Sequence, residues 1–390
     1  MKCYDIAHRE RLQSGYSDNW SGSRASRPGE MIAGVFFVGG KRGMAPLASG
    51  SRGTGRTGPP ESAAAGGRGV ARARGTPKGY TPFDLEMLQL DTVVDFDIYI
   101  WPEGSKGPVL YRDRNLAFGE EQKKRLAEAD TRQVFVLEKD AGALDKYIER
   151  NLDTIIESPE IAVDQKAKIL YDASLRIAAE ALDAPEAPES VKRAEGVVRG
   201  TIAYVLKGKA GLHQLVSLMS YDYSTYTHSV NVCAIGLALA QEVGITGQKN
   251  LMDFGVGAIF HDVGKMKIAP EILRKKGPLS DEEWALMKQH PEVGAELLAG
   301  HAKFPESARA LVLEHHEWAD GTGYPKGKRD ELIHPFAKVA AVVDVFDAMT
   351  TRRAYKEAAT SYGALEVMKM EVGAHLDGRY YRAFVKLLGE

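Results

Sequence analysis

Cysteine is nearly absent from this sequence, with two residues, Cys3 and Cys233, in 390. They stand in unlike surroundings, so there is no disulfide framework, and a reducing compartment is the natural reading. Long apolar runs are lacking too. The nearest, residues 31–40 (MIAGVFFVGG), falls short of the roughly 18 residues a membrane span needs. Some thirty mostly polar residues precede it, which is not the layout of a signal peptide. A cytoplasmic protein without a membrane span is the expectation. Net charge is small as well: 51 Lys and Arg against 53 Asp and Glu leave −2. No global field favours a nucleic-acid polymer or an anionic membrane.

What is present divides along the chain. Residues 1–79 hold 16 of the 40 glycines, and 13 Lys and Arg against 5 Asp and Glu. A Gly-, Ser-, Arg- and Pro-rich stretch buries too little apolar area to offset chain entropy, so this tail reads as disordered. Residues 80–150 read as a small α/β module. Strands are expected over 92–100 (TVVDFDIYI), 108–112 (PVLYR) and 133–137 (QVFVL), and a helix over 120–129. From Leu144 onward the apolar spacing is helical. Helices are expected over 144–157, 161–182, 188–207, 210–219 and 225–243, with residues 151–194 as a helical connector. The fold class is mainly α, an all-helical core preceded by the α/β module and the tail.

Histidine supplies the chemistry. An apolar run, 256–260, leads into His261-Asp262-Val263-Gly264-Lys265. Neighbouring side chains on a helix diverge by about 100°, so His261 and Asp262 cannot clamp one ion together, though both can serve a centre between helices. An isolated His-Asp pair is also an ordinary helix end. The same half of the chain adds His228, His290, His315, His316 and, within an apolar segment, Asp344. Imidazole and carboxylate donors suit iron, manganese, zinc, cobalt or nickel, and no thiolate is placed to select zinc. Six or seven donors exceed what one ion takes, so two divalent ions are expected, a pair able to hold both oxygens of an in-line phosphoryl displacement. His8, His213, His301, His334 and His375 have no matching spacing and read as tail or packing residues.

These residues carry a family resemblance. From about 195 to 390 the chain resembles the HD-GYP phosphodiesterases, a branch of the HD-domain metallophosphohydrolases. The matching pieces, in order, are His228-Ser229-Val230-Asn231-Val232, His261-Asp262-Val263-Gly264-Lys265, Met287-Lys288-Gln289-His290-Pro291, His315-His316-Glu317 with Asp320-Gly321-Thr322-Gly323-Tyr324-Pro325, and Asp344-Val345-Phe346-Asp347 followed by Arg353 and Lys356. The resemblance implies hydrolysis of cyclic di-GMP to linear pGpG, a further cut to GMP being left open, with two iron or manganese ions. It implies His228, His261, Asp262, His290, His315, His316 and Asp344 as ligands, Asp262 bridging. It places Lys265 at the scissile phosphate, Gly323, Tyr324 and Pro325 in the loop around guanine, and Arg353 and Lys356 on the substrate. Two departures stand out. Trp318 and Ala319 occupy the places of a basic residue and an aromatic, which bears on loop packing. Ser224 stands where some relatives bring a Glu for a third metal. Two other readings stay open: a phosphohydrolase of another nucleotide, and a catalytically silent cyclic-dinucleotide-binding module. A homodimer through the connector or the N-terminal module is a further expectation.

Overall fold

A computed structural model describes residues 76–389, leaving out 91, 103, 130, 220–223, 276, 352–358 and 373. Most of the expected tail therefore lies outside the described residues, as do Arg353 and Lys356.

The N-terminal module is built on a four-stranded antiparallel sheet in the order β1-β6-β3-β4, from β1 (Tyr80–Asp84), β3 (Ile98–Ile100), β4 (Val109–Arg112) and β6 (Gln133–Leu137). β6 and β4 follow the sequence reading. The expected strand 92–100 does not run through: β2 (Thr92–Val93) leaves to pair with β5 (Ala117–Phe118) in a second, two-stranded sheet. Asp97 sits between the pieces, and its carboxylate accepts from the Arg114 backbone N–H and guanidinium. β1 is not among the expected strands; it contains Pro82, which lacks a ladder donor, and its edge position accommodates that residue. Helix α1 (Glu120–Glu128) precedes β6, and α2 (Ala141–Arg150) and α3 (Leu152–Glu157) follow it. The single helix expected over 144–157 is thus broken at Asn151, whose side-chain amide donates to the Tyr147 carbonyl.

The remaining elements are helical. They are α4 (Val163–Asp183), α5 (Ser190–Val205), α6 (Lys209–Leu218), α7 (Thr225–Glu242), α8 (Gln248–Phe260), a 3-10 turn (Val263–Lys267), α9 (Pro270–Leu273), α10 (Asp281–Met287), α11 (His290–Leu297), α12 (Glu306–Glu314), α13 (Pro335–Thr350), α14 (Ser361–Met370) and α15 (Gly378–Gly389). One core of buried side chains runs from Phe83 in the sheet through Leu170, Val198, Leu237 and Phe254 to Phe384. The connector helices α4 and α5 are therefore not a free linker, since α4 packs on α7 and α5 on α8. Helices buried on several sides carry apolar residues all round, and α7, α8 and α13 do so. The first turn of α7, the end of α8 and the body of α13 meet at one place, where the histidines gather.

Candidate metal centre

Local geometry sets each donor. Ser224 caps α7: its Oγ accepts the Thr227 backbone N–H at 3.1 Å, and Thr227 Oγ1 accepts the Ser224 N–H at 2.8 Å. This fixes the first turn, which carries His228 inward, and gives Ser224 a structural role. α8 stops at Phe260, and His261 and Asp262 follow as the chain tightens into the 3-10 turn. The pair therefore ends a helix instead of lying within one. Gly264 lets that turn press against α11, because a Cβ there would lie 2.0 Å from the His290 carbonyl oxygen. His290 and Pro291 do not close the preceding helix, which ends at Met287. They open α11, with proline in its first turn, where a missing N–H costs nothing. His315 caps the C-terminus of α12 and His316 follows it. Asp344 comes from α13.

All seven expected donors converge. Ligand atoms of Asp262, His290, His315 and His316 lie within 4.8 Å of one another, as do those of His228, His261 and Asp262. Asp262 belongs to both groups and turns one oxygen to each. Its Oδ1 is 3.4 Å from His290 Nε2 and 3.8 Å from His315 Nε2. Its Oδ2 is 3.5 Å from His261 Nε2 and 3.7 Å from His228 Nε2. Asp344 Oδ1 lies 2.9 Å from His228 Nε2.

The tautomers decide what these groups want. His261, His290 and His315 each place Nδ1 at 2.7–2.9 Å from the backbone carbonyl three residues earlier, of Ala258, Met287 and Val312 respectively. A carbonyl only accepts, so Nδ1 carries the proton and Nε2 presents a lone pair. His261 Nε2 then faces His228 Nε2 at 3.2 Å, and His290 Nε2 faces His315 Nε2 at 3.2 Å. His316 Nε2 and Asp262 Oδ1 are buried with no hydrogen-bond partner among the described residues. Converging lone pairs and carboxylate oxygens repel unless a cation lies between them, so the donor set fits divalent metal ions. Electrostatics agree. Burial, which disfavours imidazolium, pushes His261, His290 and His316 down, and His315 down to about 4, leaving the rings neutral and ready to ligate. Burial works the other way on Asp262, yet Lys265 and the surrounding histidines outweigh it and hold the carboxyl well below its usual range. Lys265 Nζ is 2.5 Å from Asp262 Oδ2.

One site residue carried no role in the sequence. Asp347, 3% exposed, accepts from His228 Nδ1 at 2.7 Å through Oδ2 and from Asn231 Nδ2 at 2.7 Å through Oδ1. The signal that could have found it is spacing: Asp347 is one turn past Asp344, and Asn231 one turn past His228.

The glycine-rich loop sits beside this cluster. Glu317 turns a buried carboxylate under it and accepts the backbone N–H groups of Lys326 and Lys328 at 2.7 and 2.8 Å. Tyr324 N–H donates to the His316 carbonyl at 3.0 Å, and a Cβ on Gly323 would lie 2.3 Å from Trp318 N. The Tyr324 ring stacks on His316 at 4.8 Å and meets Trp284 edge-on at 5.9 Å. Tyr324 is buried at 8% exposure in a small apolar cluster with Leu279 and Met287, so it forms a wall of the centre. Pro325 follows it through a cis peptide bond. Trp318 stacks on His375 at 3.8 Å, and His375 Nδ1 pairs with Glu371 Oε2 at 2.5 Å. The departure at Trp318 thus ties the loop to the segment before α15.

Residues 215–380 match the HD domain family model. That part of the chain is an HD domain. Cyclic di-GMP phosphodiesterase PA4108 of Pseudomonas aeruginosa is 39% identical over 187 residues, 48% of this chain and 45% of that protein. The 3'3'-cGAMP-specific phosphodiesterase 2 of Vibrio cholerae is 36% identical over 118 residues, 30% of this chain and 23% of that protein. The chain thus spans less than half the length of both curated relatives. Among solved structures, Bd1817, a HDG"Y"P protein from Bdellovibrio bacteriovorus, matches with a TM-score of 0.57 at 22% identity, covering 80% of this chain and all of that one; the likeness is one of fold. The HD domain includes all seven donors, while the sheet module, α4 and α5 precede it.

Proposed function

We propose that this chain is a metal-dependent phosphodiesterase that hydrolyses cyclic di-GMP to linear pGpG. The observation that carries the reading is the pair of donor groups sharing Asp262, with imidazole lone pairs facing one another at 3.2 Å. His228, His261 and Asp344 would hold one ion, His290, His315 and His316 the other, and Asp262 both; the donors suit several divalent metals, and iron or manganese is proposed from the family resemblance. Ions so held would supply Lewis-acid activation of a phosphodiester and of the attacking water.

The chain's own residues do the rest. Asp347 and the three backbone carbonyls hold four of the five ligating rings, those of His228, His261, His290 and His315, in one tautomer, so no proton need leave them on metal binding. Lys265 places a cation beside Asp262, where an anionic phosphate would enter. Gly323, Tyr324 and Pro325 wall the centre, and Arg353 and Lys356 are assigned to the substrate's phosphates or base. The 36% identity to a cGAMP-specific enzyme favours a second reading, in which the substrate is the mixed cyclic dinucleotide.

Self-association is proposed through the N-terminal module, supported by β4, an edge strand whose Val109 and Leu110 are exposed. No described helix is long and apolar enough to cross a membrane, and the scarcity of cysteine supports the cytoplasm.

The test is anaerobically purified protein loaded with iron or manganese and incubated with cyclic di-GMP and 3'3'-cGAMP in parallel, with products separated by chromatography. Cleavage of cyclic di-GMP at the higher kcat/KM supports the first reading. A preference for the mixed dinucleotide supports the second, and cleavage of neither refutes both.

A further inference from the structure

A buried polar chain leads away from the centre. His228 Nδ1 donates to Asp347 Oδ2 at 2.7 Å, and Asn231 Nδ2 donates to Asp347 Oδ1 at 2.7 Å. The Tyr171 hydroxyl donates to Asn231 Oδ1 at 3.3 Å. All four residues are buried, at 6% exposure or less. Tyr171 lies on α4, outside the HD domain, and it is the α4 member of this chain.

The polarity of the chain has one sense. A carboxylate only accepts, so Asn231 must turn its amino group to Asp347. Its carbonyl oxygen then points the other way, where the Tyr171 hydroxyl supplies a donor. Removing that hydroxyl leaves a buried amide oxygen without this donor. Turning the amide over to look for another would set its oxygen against the Asp347 carboxylate. In either case Asp347 is held less firmly, and so is the ring whose Nε2 faces the centre.

We infer that Tyr171 is a positioning residue for the metal centre, through which the placement of α4 sets the affinity of the ion held by His228 and His261. The inference rests on the metal reading given above. It makes the connector a part of the site: a shift of α4 against α7 would be felt first at His228. The ion held by His290, His315 and His316 would not feel it, since the Nδ1 protons of His290 and His315 go to backbone carbonyls three residues earlier, away from α4.

The experiment uses the full chain, stripped of metal and titrated with manganese against a competing chelator, in wild-type, Tyr171→Phe, Asp347→Asn and double-variant forms. Unfolding temperatures of the metal-free proteins are measured alongside. Tyr171→Phe should weaken one of the two manganese sites by about tenfold, the lower end of what outer-sphere changes cause, and leave the other unchanged. Adding Tyr171→Phe to Asp347→Asn should produce little further loss, because both act through the same carboxylate. Unchanged affinity at both sites overturns the inference. So does an equal loss at both sites that tracks a fall in metal-free unfolding temperature, which would make Tyr171 a packing residue. A wild-type chain that binds no manganese overturns the metal reading, and this inference with it.

Discussion

Replacing Asp262 by Asn tests the centre most directly. The change keeps shape and one oxygen acceptor but removes the charge. Asp262 is 1% exposed and is the sole member common to both donor groups. Two divalent ions roughly 4 Å apart repel by about 16 kcal/mol even at an effective dielectric of about 20. A full negative charge shared between them offsets a comparable amount, so its loss is not repaid by a neutral amide. The first ion, held by three imidazoles, should still bind, while the second should lose more than about 4 kcal/mol, or a factor of about 1,000. Elemental analysis should therefore fall from near two metals per wild-type chain to one or fewer, and turnover to below about 1%. The metal-free fold should also lose stability near neutral pH. Its carboxyl is held well below the usual range by Lys265 and the histidines, so it stabilises the fold above its ordinary pKa, and that contribution fades as pH falls through the lowered value. A variant that keeps two metals per chain, or more than a few per cent of turnover, would refute the shared-carboxylate geometry.

Gly323→Ala should cost about 1–3 kcal/mol of local packing, because the new Cβ would meet Trp318 N at 2.3 Å and the His316 carbonyl oxygen at 2.5 Å. Activity should drop with metal content intact; wild-type kinetics would show that the loop yields easily. Arg353→Ala should weaken cyclic di-GMP binding by about 1.5–3 kcal/mol, the scale of a charge-assisted hydrogen bond, without metal loss. Calorimetry on a slowly turning variant checks this, and unchanged affinity returns Arg353 to a structural role. Deleting residues 1–75 should leave kcat at saturating substrate within about twofold, since no donor lies there; a larger loss would show that the tail docks or gates. Cys233 is fully enclosed, and burial pushes its thiol up to about 12, so a thiol reagent should label it only after denaturation.

How much of this centre a sequence can show follows from where each donor's second hydrogen bond goes. For His261, His290 and His315 it stays local, at the carbonyl three residues back. Such a bond forms where a helix stops or restarts, because carbonyls there lack their usual partners. The positions of these residues after an apolar run or beside Pro291 were therefore readable as helix ends carrying ligands. The boundary at His290 is ambiguous in sequence because a proline marks either the end of one helix or the first turn of the next. For His228 the second bond goes to Asp347, 119 residues away, and from there through Asn231 to Tyr171 on a different helix. Spacing could place Asp344 and Asp347 on one face of α13, and His228 and Asn231 on one face of α7. It could not say that those two faces meet, nor that α4 lies behind them. The same limit split the expected strand over 92–100: its alternation was real, but the turn at Asp97 depends on Arg114, which the chain brings back only after β4. Local chemistry was thus legible for the three histidines whose partners lie within a turn of them, though not for the helix break at Asn151, whose partner Tyr147 is equally near. The one imidazole held by a distant carboxylate is also the one whose position depends on how the connector packs.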